Sequence, residues 1–309
     1  MNKQAFYILL GLLVVHIVPS TASLFSNITD TTHATPQAAS FFYGYFTAKS
    51  EHNATAWLSY FNPIQVGYYD AIIGEASTNH SQLVAALTEL TVSFGPPSAN
   101  ATSYPLTIWG DTTSAVVHFV DGAGLFGAET RAISAFDFED GLIIRQVDYW
   151  DGRRNPEKAS AVPDDEYPVN LGLNGVPEVA ATGIDFAARE LQAALSIGNA
   201  TAATALFSAD AVFVDTTLRT REEGALAIGR YLQRALPYLP YGLGSTVRHV
   251  MGSAQGGGYE WETVGELKNG ISALALDEEG MITSFMAVWD GSRMNDTAIE
   301  ALAALSLEA

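Results

Sequence analysis

The sequence predicts an α+β protein built from two copies of one unit, in which N-terminal helices pack on a mostly antiparallel sheet. Three observations support this. The stretch DGLIIRQVDYWDGRR at 140–154 is echoed by EGMITSFMAVWDGSRM at 279–294. Both halves follow a longer helical pattern with the same tetrapeptide, NATA, beginning at Asn53 and at Asn199. The 309 residues leave room for two domains of roughly 100 to 200 residues each.

In chain order, residues 1–22 are set aside first. A lysine in MNKQ, the apolar run at 5–18, and small residues at Ser20 and Ala22 form a secretory signal pattern cleaved after Ala22. The run is shorter than the ~20 residues that span a bilayer, so no stable membrane insertion is expected after cleavage. Residues 23–36 are expected to be a flexible N-terminal segment, 37–154 domain 1, 155–179 a linker, 180–301 domain 2 and 302–309 a tail.

Each domain opens with a helix, ATPQAASFFYGYFTAKSE in the first and GIDFAARELQAALSIG in the second. In the second, Ile184, Ala188, Leu191 and Leu195 lie at i, i+4, i+7 and i+11 and lay an apolar stripe that Ala194 widens. A short helix follows in each, with Asn53 or Asn199 as its N-cap. The β-branched and aromatic stretches 65–74 and 210–219 read as strands, and matching them sets Asp70 opposite Asp215. A third helix then leads into four strands per half. Gly141 and Gly280 suit hairpins between the last two. The glycine-rich 254–261, AQGGGYEW, reads as a hairpin connection. The linker carries prolines and acidic residues without periodicity, as an extended strap would.

Composition limits the function. Fifteen Lys plus Arg against 34 Asp plus Glu give a net charge of −19, which repels nucleic acid and anionic membranes. Six Asn-x-Ser/Thr patterns, at Asn27, Asn53, Asn79, Asn100, Asn199 and Asn295, suit a glycosylated protein of the secretory lumen or exterior. With no cysteine there is no disulfide, thiolate metal site or cysteine nucleophile. The histidines make no zinc pattern, no acidic stretch has EF-hand spacing, and neither a phosphate-cradling loop nor a serine-hydrolase elbow is present. No cofactor or metal is expected, which leaves acid–base chemistry or binding.

With its helix, helix, strand, helix, strands order and its D/E-G-x-I … W-D-G ending, the chain resembles the NTF2-like superfamily, and within it the SnoaL-like group, in tandem over 37–154 and 180–294. The first copy departs from that ending by placing two isoleucines after Leu142. The resemblance implies cone-shaped domains, each with a curved sheet wrapped around helices and a pocket between them. Members include polyketide cyclases, ketosteroid isomerases, dehydratases, epoxide hydrolases and non-catalytic binding modules, so fold alone does not select a function. Active members place an Asp, Glu or His inside the pocket.

Asp70, His118 and Asp148 are accordingly the catalytic candidates, with Tyr68, Tyr149, Trp150, Asp215 and Trp289 as ligand-binding candidates. Alternation along LIIRQVDYW puts Ile144, Gln146, Asp148 and Trp150 on one face. The counterpart of Asp148 in the second copy is Ala287, which removes proton transfer there. His118 alternates with Val116 and Val120. Its region in the second copy carries Glu260 or Glu262, while His249 falls near the place of Thr107. Asp70 and Asp215 equally suit strand-end turns. The W-D-G tripeptides read first as fold-completing and second as contributors to a pocket rim. The expectation is a secreted protein that binds a small apolar or secondary-metabolite ligand or serves a structural role, its two domains packed as a pseudo-dimer. The alternative is a cofactor-independent isomerase, dehydratase or cyclase working in domain 1.

Overall fold

The protein's structure, a computed structural model, describes residues 25–156, 167–265 and 267–307. The expected signal segment lies outside them, as do residues 157–166 of the expected linker.

Domain 1 runs through β1 (Asp30–Ala34), α1 (Pro36–Ser50), α2 (Ala54–Leu58), β2 (Gly67–Asp70), β3 (Ala76–Ser77), α3 (His80–Ser93), β4 (Ser103–Gly110), β5 (Ser114–Asp121), α4 (Ala123–Phe126), β6 (Thr130–Glu139) and β7 (Leu142–Trp150). Domain 2 runs through α5 (Thr182–Ser196), α6 (Ala200–Thr204), β8 (Phe207–Asp215), β9 (Thr220–Glu223), α7 (Ala225–Ala235), β10 (Thr246–Ser253), β11 (Gly256–Glu262), β12 (Asn269–Leu276), β13 (Ile282–Trp289) and α8 (Asp296–Ala304). Pro36 opens α1 behind a Thr35 cap, and Asn53 and Asn199 each accept the backbone N–H three residues on, from Ala56 and Ala202.

The strand order is β1-β4-β5-β6-β7-β2-β3 in one sheet and β10-β11-β12-β13-β8-β9 in the other. Apart from β1, the two orders are the same, and in each the last strand runs parallel to the early one, β7 beside β2 and β13 beside β8. The architecture is therefore α+β, two modules of one topology, each with helices packed on a mostly antiparallel sheet. The β6–β7 and β12–β13 connections turn where expected, with φ of 76° at Gly141 and 82° at Gly280.

Several expectations are corrected. Residues 30–34 are not a loose segment: they form β1, parallel to β4, because the backbone groups on the outer edge of β4 would otherwise be unpaired. The glycines of AQGGGYEW are mostly strand rather than turn. Gly256, Gly257 and Gly258 lie in β11, where a Cβ on Gly256 would sit 2.6 Å from the Cβ of His33 and one on Gly257 would sit 2.0 Å from the carbonyl oxygen of Met251. Helix α8 crosses the boundary expected at 301/302. In β7, a register shift opposite Asp137 and Phe138 brings Ile143, rather than Ile144, into the domain 1 core with Trp150.

Each domain has its own apolar core between helices and sheet. A third cluster joins the opposite sheet faces and includes Val116, Ile133, Val147 and Tyr149 from domain 1, Met251, Ile271 and Val288 from domain 2, and Leu171 from the linker.

Candidate functional site

Paired strands place one row of residues across each sheet. In domain 1 the row is Ile108, Val117, Ser134, Asp148 and Asp70. In domain 2 it is Val250, Tyr259, Ser272, Ala287 and Asp215. Both rows face the helices, since Ile108 and Val117 belong to one domain core and Val250, Tyr259 and Ala287 to the other.

Asp148 is the centre of the domain 1 row. Its Oδ2 accepts from the Tyr68 hydroxyl at 2.7 Å, and its Oδ1 accepts from Gln146 Nε2 at 2.8 Å and from the Ser134 hydroxyl. Gln146 in turn accepts from the Tyr45 hydroxyl at 2.9 Å. Burial raises the Asp148 pKa above the ordinary carboxylate range, against the pull of Lys49 and of these hydrogen bonds. Asp148 is buried and Tyr68 half-buried, so the pair reaches from the interior toward the rim. Lys49 lies deeper, 2.8 Å from Asp121 and over the Trp57, Phe119 and Phe126 rings.

Asp70 pairs in register with Asp148, but its own partners are different. It accepts the Trp150 indole N–H at 2.9 Å and the backbone N–H groups of Ile72 and Ile73. Burial first, and then the neighbouring Asp148, push its pKa up to about 7. Domain 2 repeats the arrangement. Asp215 accepts the Trp289 indole N–H at 3.0 Å, the Tyr241 hydroxyl at 3.0 Å and the Leu218 N–H at 2.8 Å, and burial raises it to about 6.

The proposed triad does not converge. His118 pairs with Thr107 and Ile133, one residue along from the Asp148 row, and neighbouring strand residues point to opposite sheet faces. Among the described residues its Nε2 has no hydrogen-bond partner, and burial, then Arg131, lower its pKa to about 4. An imidazole that stays neutral on the far face cannot orient or relay for Asp70 or Asp148. Tyr149 is on that far face as well and donates to Glu260 at 2.6 Å.

The far face carries polar groups that sequence reasoning did not assemble. Arg145, fully buried, donates to Asp137 at 3.0 Å, to both oxygens of Glu260 at 2.8 and 2.6 Å, and to the Leu171 carbonyl at 2.7 Å. His249 lies 2.8 Å from the other Asp137 oxygen. Burial would raise the Asp137 pKa, but His249 and Arg145 outweigh it and hold it below the ordinary value. Strand pairing makes Glu260 the positional equivalent of His118 and His249 that of Thr107. The available signal was charge in apolar strands: Asp137 within AISAFDF and Arg145 within LIIRQVDYW.

Among the described residues, no group of three or more His, Asp or Glu is placed to hold a metal ion, and no helix is long and apolar enough to cross a membrane.

No family model and no curated protein matches this chain. Solved structures do resemble it. An NTF-2 like protein of unknown function from Burkholderia xenovorans is 12% identical over 37% of this chain and 82% of its own, with a TM-score of 0.31. A protein with a cystatin-like fold from Silicibacter pomeroyi is 21% identical over 40% and 85%, at 0.33. A steroid delta-isomerase from Pseudomonas aeruginosa is 16% identical over 42% and 93%, at 0.33. The fold rests on the helix and strand order given above rather than on these distant likenesses.

Proposed function

We propose that this chain is a secreted, tandem SnoaL-like protein whose first domain binds a small, largely apolar molecule, with the Tyr68–Asp148 pair as its polar anchor. The observation that carries this is the asymmetry of one position: Tyr68 and Asp148 are bonded at 2.7 Å in domain 1, while the equivalent places in domain 2 hold Phe213 and Ala287, both buried in its core. Tyr68 packs against the aromatic-rich domain 1 core, with the Phe61 ring centroid 6.5 Å from its own, and a few polar groups among apolar ones suit such a ligand. Domain 2 serves as the scaffold, packed on domain 1 as a pseudo-dimer through the sheet faces. Asp70 with Trp150, and Asp215 with Trp289, complete the two folds rather than touch ligand.

A second reading, acid–base catalysis of isomerase, dehydratase or cyclase type, is favoured by the raised pKa of Asp148, which keeps a carboxyl able to gain or lose a proton nearer neutrality. In that reading Asp148 moves the proton and Tyr68 orients a substrate oxygen.

The test is a binding screen of the secreted chain against steroid-like and aromatic polyketide-like compounds, followed by Asp148→Asn and Tyr68→Phe on any hit. Binding weakened about 10-fold in Tyr68→Phe is expected from one lost hydrogen bond to a charged group. Turnover lost by about 100- to 10,000-fold in Asp148→Asn, with binding kept, selects the enzyme. A hit whose affinity is the same in both variants would reject the anchor. Secretion is checked separately, by a mature N-terminus that begins after Ala22.

A further inference from the structure

The two W-D-G turns meet. The Gly152 N–H donates to Asp290 Oδ1 at 3.2 Å, and a Cβ on Gly291 would stand 2.5 Å from Arg153 Nε. A crevice opens on each side of this joint, each formed by the Asp and the last Arg of one turn and by the loop that follows Asp70 or Asp215. The two crevices are thus equivalent in the repeat, yet they differ in what they contain.

The crevice beside Ala71, Asp290 and Arg293 is nearly full, with about 20 Å³ left. The linker fills it. Tyr167 lies in this crevice, donates its hydroxyl to the Ala71 carbonyl at 2.7 Å, accepts from Asn269 at 2.8 Å, and has Lys268 Nζ 4.9 Å from its ring. The other crevice, lined by Asp151, Arg153, Arg154, Leu218, Arg219 and Ile299, is open with about 330 Å³. One chain has one linker, so only one of the two places receives its tyrosine.

The open crevice is also chemically distinct. Arg153 is held by Asp151, at 3.0 and 2.8 Å, and by the Thr217 carbonyl at 2.5 Å. Arg154 and Arg219 are exposed, and among the described residues neither guanidinium has a hydrogen-bond or ion-pair partner. In a chain of net charge −19 carboxylates are abundant, so two unpaired arginines on one concave surface leave unused anion-binding capacity. Leu218 and Ile299 supply an apolar wall.

We propose that this crevice is a binding site for a small organic monoanion, whose apolar body lies on Leu218 and Ile299 and whose carboxylate or equivalent oxyanion is held by Arg154 and Arg219. The occupant stands where Tyr167 stands in the equivalent crevice. The site is independent of ligand binding in domain 1.

Benzoate is a suitable probe, titrated calorimetrically into the full chain at constant ionic strength. Wild type is expected to bind at one site. Arg154→Gln and Arg219→Gln should each weaken binding by about 10-fold, the loss of one charge-assisted contact. Benzyl alcohol, which lacks the charge, and inorganic sulfate, which lacks the apolar body, should each bind at least about 10-fold more weakly than benzoate. Because both arginines are exposed, unchanged melting temperatures without ligand verify that the variants fold. Absence of saturable benzoate binding up to about 10 mM, or equal affinity in wild type and the Arg154→Gln/Arg219→Gln double variant, overturns the site. Sulfate binding as tightly as benzoate overturns the assignment of an organic ligand.

Discussion

In domain 1 the last strand ends with Trp150 donating to Asp70, and in domain 2 with Trp289 donating to Asp215. In one register row, two residues before each tryptophan, domain 1 has Asp148 with three hydrogen-bond donors and domain 2 has Ala287 beside Ser272. The repeats therefore kept the contact that closes the open end of each core and diverged beside it. The far faces diverged as well, with a His118 whose Nε2 has no partner among the described residues where domain 2 has Glu260, the residue held by Arg145 and Tyr149. What recurs holds the fold, and what differs is where function and the contact between domains are to be sought.

The largest effect expected from breaking this asymmetry is at Arg145, whose counterpart in domain 2, by strand pairing, is Ser284. Arg145→Met removes the cation between Asp137 and Glu260 and leaves two buried carboxylates without it. Loss of about 3 to 5 kcal/mol is expected in urea denaturation, because one partner of a buried ion pair is removed while the other stays buried. The triple variant Arg145→Met/Asp137→Asn/Glu260→Gln should recover most of that loss, since no uncompensated charge remains. A triple variant as unstable as the single one would show that Arg145 acts through packing.

The shared contact is tested by smaller changes. Trp150→Phe and Trp289→Phe keep a ring in each core but remove the donor to Asp70 or Asp215. Each should cost about 1 to 3 kcal/mol, the penalty for a buried acceptor that loses its partner. Similar losses in the two domains, measured by thermal or chemical denaturation, support a common fold-completing role. A loss at Trp150 alone would assign that tryptophan to the domain 1 site instead.

Much of this was legible in the sequence because it depends on local pattern. The NATA caps, the helix stripe of Ile184, Leu191 and Leu195, the Asp-Gly and Glu-Gly hairpins and the repeated W-D-G each determine structure within a few residues. So was the asymmetry of Asp148 and Ala287, which needed only an alignment of the halves. What escaped depends on register between distant strands. His118 alternates correctly along its own strand, but which face it shares with Asp148 is decided by pairing through β6, and a shift of one residue reverses every side chain. The bulge opposite Asp137 and Phe138 moved Ile144 off the expected face in the same way. The glycines of β11 looked like a turn because close approach of another strand and of the other domain leaves no mark in the sequence other than glycine itself.

The smallest effect sharpens the comparison most, because it reads the neighbour of each conserved aspartate. Asp70 titrates at about 7 and Asp215 at about 6, both raised by burial, with Asp148 adding to the rise only at Asp70. A carboxyl whose folded pKa lies above its unfolded value binds more protons when folded. Its contribution to stability is complete below about pH 4 and is lost as pH rises through the folded pKa. Comparing wild type with Asp70→Asn should reveal a decline that ends near pH 7, and comparing it with Asp215→Asn a decline that ends near pH 6. Each slope should be at most about 1.4 kcal/mol per pH unit, the value for one proton. His118 and Asp137 are lowered and slope the opposite way, which is why differences between variants are read rather than the wild-type curve alone. Asp148→Asn should then move the Asp70 midpoint, followed by carboxyl carbon NMR, down toward that of Asp215, and leave Asp215 in place. An Asp70 midpoint that does not move would mean that burial alone sets it, and that the two halves differ at Asp148 without any electrostatic consequence for the contact they share.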